Sequence, residues 1–243
     1  MPQLTSDPQS AGQPLYTSSA TQYHKLGERL VTTDGRVFRY VLAGGVDLVA
    51  GNWIQSPAQI ANHQNLAVAN ASIGDSTITV TLGGTAATLN QYSGGQAVVT
   101  ITPGLGQAIN IIGHPAQTNG SGTLVLTLGE PLRVALTAAN TKIDLVPNQY
   151  RGVIQNPITT LTGSCVGVAV YIIAASEYGW LQRSGLCGAL IAGTPAVGAA
   201  IVVPGTAAGA AVVDGAASAT AIVGTMASTG GDGECNGVML ALE

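Results

Sequence analysis

In Thr77-Ile78-Thr79-Val80-Thr81-Leu82, hydroxyl side chains stand at every odd position and apolar ones at every even position, and Gly83-Gly84 then turns the chain. Side chains of an extended strand point to opposite faces with period two. The pattern therefore specifies one buried and one hydrated sheet face, not the 3.6-residue stripe of a helix. The same grammar recurs at 96–102 and 107–112, which flank the hairpin-like Pro103-Gly104-Leu105-Gly106, and at 123–128 before Gly129-Glu130-Pro131. With 133–136 and 143–146 these runs make a β-rich stretch over roughly 72–148. Upstream, Asp34-Gly35 is a two-residue hairpin signal, and the alternating run 36–42 stops at Gly44-Gly45. The alanine-rich run 60–71 leaves helix and loop open.

Beyond Pro147-Asn148, short apolar runs at 166–173, 178–182, 187–191, 200–203, 210–213, 221–225 and 238–242 recur at spacings near ten residues. Gly, Pro or Asp separates them, which fits a small barrel or sandwich. Two alanine-rich stretches, AAGAAVV at 207–213 and GAASATA at 215–221, would also suit helix on propensity. The expected fold is all-β. Three parts follow: an extended N-terminal arm at 1–30, a β-rich module at 31–148, and a C-terminal barrel or sandwich at 149–243.

The arm is polar, carries Pro2, Pro8 and Pro14, and shows no alternation, so it is expected to form no core of its own. One reading is a disordered tail. We favour a tether that orders when laid on a neighbouring subunit, anchored by Leu15, Tyr16, Tyr23 and Leu26.

Only 8% of the 243 residues are Asp, Glu, Lys or Arg, against roughly 25% in ordinary domains. The surface must therefore be covered by Ser, Thr, Asn, Gln, Gly and small apolar side chains. The eight basic residues are scattered at 25, 29, 36, 39, 133, 142, 151 and 183, and no block of them could neutralise a run of phosphates. Nucleic acid is not an expected partner. Cys165, Cys187 and Cys235 have no CxxC spacing and are expected as reduced thiols, mostly buried. The opening residues lack a basic region followed by an apolar run, which leads us to expect folding in a cytosol. Residues 184–213 carry no charge, yet six glycines together with Pro195 and Pro204 interrupt them, so turn-punctuated strands are expected there, not a membrane helix.

Chemistry-bearing residues are isolated. His24, His63 and His114 show no i, i+4 pairing of a helical metal site. Asp232 and Glu234, in Gly-Gly-Asp-Gly-Glu, read as a solvated turn, because the other oxygen ligands of a calcium loop are missing. Gly163-Ser164-Cys165-Val166-Gly167 falls short of Gly-x-Ser-x-Gly, since serine follows glycine directly. Tyr178-Gly179-Trp180 reads as a core anchor, with a carbohydrate-stacking platform as the alternative. No catalytic residue, metal ligand or cofactor site is expected.

Several strings in order, DGRVFRYV at 34–41, GNWIQSP at 51–57, HQNLAV at 63–68, PLRVAL at 131–136, LVPNQYRGV at 145–153, YGWLQ at 178–182 and the ending GDGECNGVMLALE, resemble the capsid decoration, or cement, proteins of tailed phages along residues 25–243. The resemblance implies a non-enzymatic β-rich virion protein, often a homotrimer. It would bind the outer surface of an icosahedral head and clamp neighbouring major capsid proteins after folding in the host cytoplasm, with no membrane involved. The alternative function is a virion- or cell-surface β-sandwich adhesin that binds glycans.

Overall fold

A computed structural model describes residues 12–158, 160–214 and 221–243, and these residues are almost entirely strand and turn. The protein is all-β. It divides into two compact units, one built from the described parts of 1–57 and 149–243, the other from Ala58–Asn148.

The Ala58–Asn148 unit is a closed six-stranded barrel formed by β4 (Leu66–Val68), β5 (Thr77–Thr81), β6 (Gln96–Ile101), β7 (Ala108–Gly113), β8 (Thr123–Leu128) and β9 (Lys142–Val146), in the order β4-β5-β8-β7-β6-β9. Alternation decides which face closes inward. Ile78 and Val80 are buried while Thr77 and Thr81 are exposed, and Leu124, Leu126 and Leu128 point in from β8 between exposed Thr123, Val125 and Thr127. Their cluster continues through Val99, Ile111, Ile143 and Leu145. The open stretch 60–71 resolves into one 3-10 turn over Ala61–His63 followed by β4. The strand expected at 133–136 does not form. That segment pairs only through a single bridge, Leu136 to Ala71, because Pro131 offers no donor and Leu136 turns inward at the barrel end.

In the other unit, a ten-stranded sheet runs β1-β2-β10-β3-β11-β12-β16-β15-β13-β14. Its strands are β1 (Arg29–Val31), β2 (Val37–Ala43), β3 (Trp53–Gln55), β10 (Arg151–Gln155), β11 (Cys165–Ala169), β12 (Tyr178–Ile191), β13 (Ala200–Val202), β14 (Val212–Val213), β15 (Ile222–Met226) and β16 (Glu234–Ala241). Asp34-Gly35 turns β1 into β2, with Gly35 at φ 82° and Thr32 N–H donating to the Arg36 carbonyl. An added pairing of β2 with β12 closes the circuit β2-β10-β3-β11-β12 around Val41, Leu48, Ile54, Val153, Val166 and Leu181. A second cluster, with Trp53, Ile191, Ile201, Val223 and Val238, lies under the β12-β16-β15-β13 extension.

Module boundaries expected from the sequence shift accordingly. The boundary at 148 coincides with the end of the barrel, but residues 31–57 belong with the C-terminal strands, because β2 and β3 find their hydrogen-bond partners in β10, β11 and β12. The six-strand closed barrel is built by the middle of the chain, and 149–243 completes the large sheet. The uncharged run 184–213 forms the second half of β12, then β13 and β14. No helix among the described residues is long and apolar enough to cross a membrane. Of the two alanine-rich stretches, 207–213 ends in β14, and 215–220 lie outside the described residues.

A closed barrel with its own apolar cluster has every internal strand edge paired. Residues 58–148 expressed alone should therefore unfold in one cooperative thermal transition with a far-ultraviolet strand spectrum. A disordered fragment would contradict this.

Candidate interaction surface

The segment expected to lie on a neighbouring subunit is instead built into its own unit over residues 12–28. Leu15 is 6% exposed and packs with Phe38, Tyr40 and Trp180. Gln13, 1% exposed, donates its amide to the carbonyls of Thr17 at 3.1 Å and Tyr178 at 2.8 Å, and accepts a hydrogen bond from the Tyr40 hydroxyl. The Trp180 indole N–H donates to the Gln13 carbonyl at 3.3 Å, and Ser19 bridges to Tyr178. His24 lies edge-on to Tyr40 with 5.1 Å between ring centroids, and its Nδ1–H donates to the Glu28 carboxylate at 3.0 Å. The expectation of a coreless arm is thus corrected for these residues: the apolar outer side of β2 and β12 needs a cover, and Leu15 and Leu26 supply it. Residues 1–11 lie outside the described part. Tyr16 and Tyr23, at 49% and 53% exposed, are the two proposed contact residues that remain available to a partner.

Trp180 is buried at 3% exposure and stacks its edge on Tyr40 at 4.9 Å, so the Tyr178-Gly179-Trp180 run anchors the core and presents no indole shelf.

The barrel brings together two histidines that stand far apart in sequence. The Thr85 carbonyl can only accept, so His63 Nε2 donates to it at 2.9 Å, and His63 Nδ1 accepts from the Tyr92 hydroxyl. The Tyr92 backbone N–H donates to His114 Nε2 at 3.0 Å, which leaves His114 Nδ1 to donate to the Pro115 carbonyl at 2.8 Å. All four ring nitrogens are therefore engaged, and burial pushes the Tyr92 phenol upward and holds the His114 imidazole below its ordinary pKa. The cluster is a structural tie across the barrel end. Among the described residues, no three His, Cys, Asp or Glu side chains converge as a metal site would require.

A second tie is ionic. Glu243 receives Arg39 at 2.6 Å, Arg183 at 3.2 Å and Arg29 at 3.5 Å, and the Arg39 hydrogen bonds, ahead of the charges of Arg39, Arg183 and Arg29, hold its carboxyl below the usual range. Glu234 accepts the Gly231 N–H at 3.0 Å within its own turn, whereas Asp232 accepts the N–H of Gly193 at 2.5 Å and so ties this turn to the chain beyond β12. Burial raises the Cys165 thiol to about 11 and the Cys187 thiol to about 12, so neither carries thiolate at neutral pH. Cys235 is exposed.

Large apolar side chains also face outward. Val46, Ile73, Leu89, Leu105 and Val197 are each mostly exposed, and an open groove beside β12 is lined by Tyr16, Arg36, Leu186, Gly188 and Cys235. No protein-family model, curated protein or solved structure matches the chain.

Two outcomes follow from these contacts. Leu15→Ala should destabilise the chain by about 2–5 kcal/mol in urea unfolding, as a large-to-small change in a core; a loss below 0.5 kcal/mol, on the order of an exposed substitution, would return this segment to the surface. The second concerns acid. The unfolded chain takes up a proton on His114 near pH ~6.5 while the folded barrel resists it. This stabilisation is complete above that pH and is lost as pH falls below it. The difference in urea midpoint between pH 7.5 and 5.5 should shrink in His114→Gln, and an unchanged difference would refute the assignment.

Proposed function

We propose that the chain is a structural virion protein that binds the outer surface of an icosahedral capsid and stabilises it by clamping neighbouring major capsid subunits. It acts as a homo-oligomer after folding in the host cytoplasm, without a catalytic step or a cofactor. The observation that carries this reading is the state of the charges. Five of the eight basic side chains, Arg29, Arg36, Arg39, Arg133 and Arg183, are already matched by the chain's own carboxylates, while large apolar side chains stand in solvent on both units. A surface with few free charges loses little hydration when it is covered, and scattered apolar side chains suit broad, flat contact. Such contacts are weak singly and gain strength when many copies bind one lattice.

The exposed Tyr16 and Tyr23 are the side chains of 12–28 that this reading places against the capsid, and Leu15 and Leu26 support them from within. The resemblance over 25–243 supports the same assignment.

A ligand that binds only the intact lattice stabilises it in proportion to occupancy and affinity. Purified protein added to particles stripped of it should rebind and raise the temperature at which genome is released. Tyr16→Ala/Tyr23→Ala should melt like the parent in isolation and bind particles at least about tenfold more weakly, as truncated aromatic anchors do. Failure of the parent protein to bind, or binding without any change in release temperature, would overturn the clamp.

A further inference from the structure

The sequence contains two Asn-Gly steps, Asn119-Gly120 and Asn236-Gly237, and the fold treats them oppositely. An Asn-Gly step can modify itself. The backbone nitrogen of the glycine attacks the asparagine Cγ and loses its proton, ammonia leaves, and a five-membered succinimide forms. Water then opens the ring at one carbonyl or the other, giving isoaspartate or aspartate. Glycine permits the approach because it has no Cβ to crowd it and few backbone restrictions. The reaction needs a carboxamide free to rotate, a glycine N–H engaged with nothing else, and a backbone not locked in a strand, where Cγ and the nitrogen are held apart.

Asn236 meets none of these conditions. It is 5% exposed and lies in β16, where it is in register with Ala189 and Gly237 with Gly188 of β12. Its Nδ2 donates to the carbonyls of Gly231 at 3.4 Å and Glu234 at 3.3 Å, and its Oδ1 fills the place a Cβ on Gly230 would take. The Gly237 N–H, which would have to attack, donates to Ser228 Oγ at 2.8 Å. Conversion here must wait for the ladder to open.

Asn119 meets all of them. It stands between β7 and β8, outside any strand, in a turn closed by the Gly122 N–H donating to the Asn119 carbonyl at 3.3 Å. Asn119, Gly120 and Ser121 are exposed. The Asn119 backbone N–H donates to Gln117 Oε1 at 3.1 Å, but among the described residues neither the Asn119 carboxamide nor the Gly120 N–H makes a hydrogen bond. Ser121 holds a left-handed φ of 62°, unfavourable for a residue with a Cβ, so the turn sits away from a backbone minimum. Packing meanwhile fixes glycine at 120, because a Cβ there would collide with the Gly84 carbonyl oxygen.

We propose that Asn119-Gly120 is a self-modifying site of the folded protein, which converts to isoaspartate and aspartate with loss of ammonia and uptake of water. Each event adds one carboxylate and takes the formal net charge from -4 to -5 (-4 minus 1). The two products differ in the backbone. Isoaspartate routes the main chain through Cβ and Cγ, so the carbonyl that accepts from Gly122 is lost and the loop lengthens. That loop is held by the Gly120 contact with Gly84 and by the Ser121 N–H donating to the Gly83 carbonyl. The contact between 83–84 and 119–122 therefore loosens in the isoaspartate form, whereas aspartate leaves the backbone as it was.

Peptide mapping by mass spectrometry, on the full chain kept folded at pH 8.5 and 37 °C, tests this. The peptide holding Asn119 should gain one mass unit and separate into two products, faster at pH 8.5 than at pH 6.5 because the attacking nitrogen must lose its proton. The peptide holding Asn236 should convert at least about a hundredfold more slowly, since a central strand opens rarely. In guanidinium chloride the two should convert at similar rates. Asn119→Gln should remove the change at this site without moving the melting curve. Amide exchange at Ser121 and Gly122 should quicken in the isoaspartate fraction and stay at the parent rate in Asn119→Asp. An Asn119 that stays intact in the folded chain while the unfolded chain converts would overturn the proposal, as would equal folded-state rates at 119 and 236.

Discussion

The larger unit depends on the hydrogen-bond ladder of a single strand. Over fourteen residues β12 pairs with β2 through Tyr178–Ser184 and with β16 through Ser184–Ile191, so it belongs to the closed circuit at one end and to the open extension at the other. The handover needs a local irregularity, and it falls between Gln182 and Ser184. Gln182, 1% exposed, holds it by donating its amide to the carbonyls of Ser184 at 3.1 Å and Leu186 at 2.9 Å. A buried amide that reaches both sides of a bulge satisfies carbonyls the ladder leaves unpaired. Two apolar clusters, one on Leu181 and one on Cys187 and Ala189, then form on either side of that point.

Parts of this were legible in the sequence because they are local. Thr123–Leu128 forms the expected strand end to end, since a period-two pattern bounded by glycine specifies both the strand and its inward face. The hairpin at Asp34-Gly35 was legible for the same reason. Tyr178–Ile191 read as two strands because Arg183-Ser184-Gly185 looks like a turn, and only the partners on either side show it to be a bulge with Gly185 at φ 84°. Gln13 and Leu15 read as part of a free arm because the surface they cover combines Phe38 and Tyr40 with Tyr178 and Trp180, the latter more than 160 residues away, and no local signal announces it. His63 and His114 each stood alone for a similar reason: closure of the barrel puts them on opposite sides of Tyr92.

Polar chemistry in the molecule is consumed internally. Glu243 gathers three guanidinium groups, Tyr92 joins two imidazoles, and Gln13 fills its hydrogen-bonding capacity beneath the aromatic cluster. These ties hold together strands that are distant in sequence, in a chain too poor in charge to decorate its exterior. The exterior carries sparse charges among hydroxyls, small apolar groups and many large apolar side chains, which suits broad association with protein.

The two margins of the large sheet, β1 and β14, are three and two residues long. The six strands of Ala58–Asn148 close on themselves and have no margin at all. Open strand margins are templates on which further chains add without limit, and soluble proteins commonly blunt them with lysine. With two lysines in 243 residues, this chain has little of that defence, and truncation takes its place. With one unit closed and the other ending in two- and three-residue margins, little strand edge is offered for further chains to add to, so crowding favours finite contacts between faces over growth into fibrils.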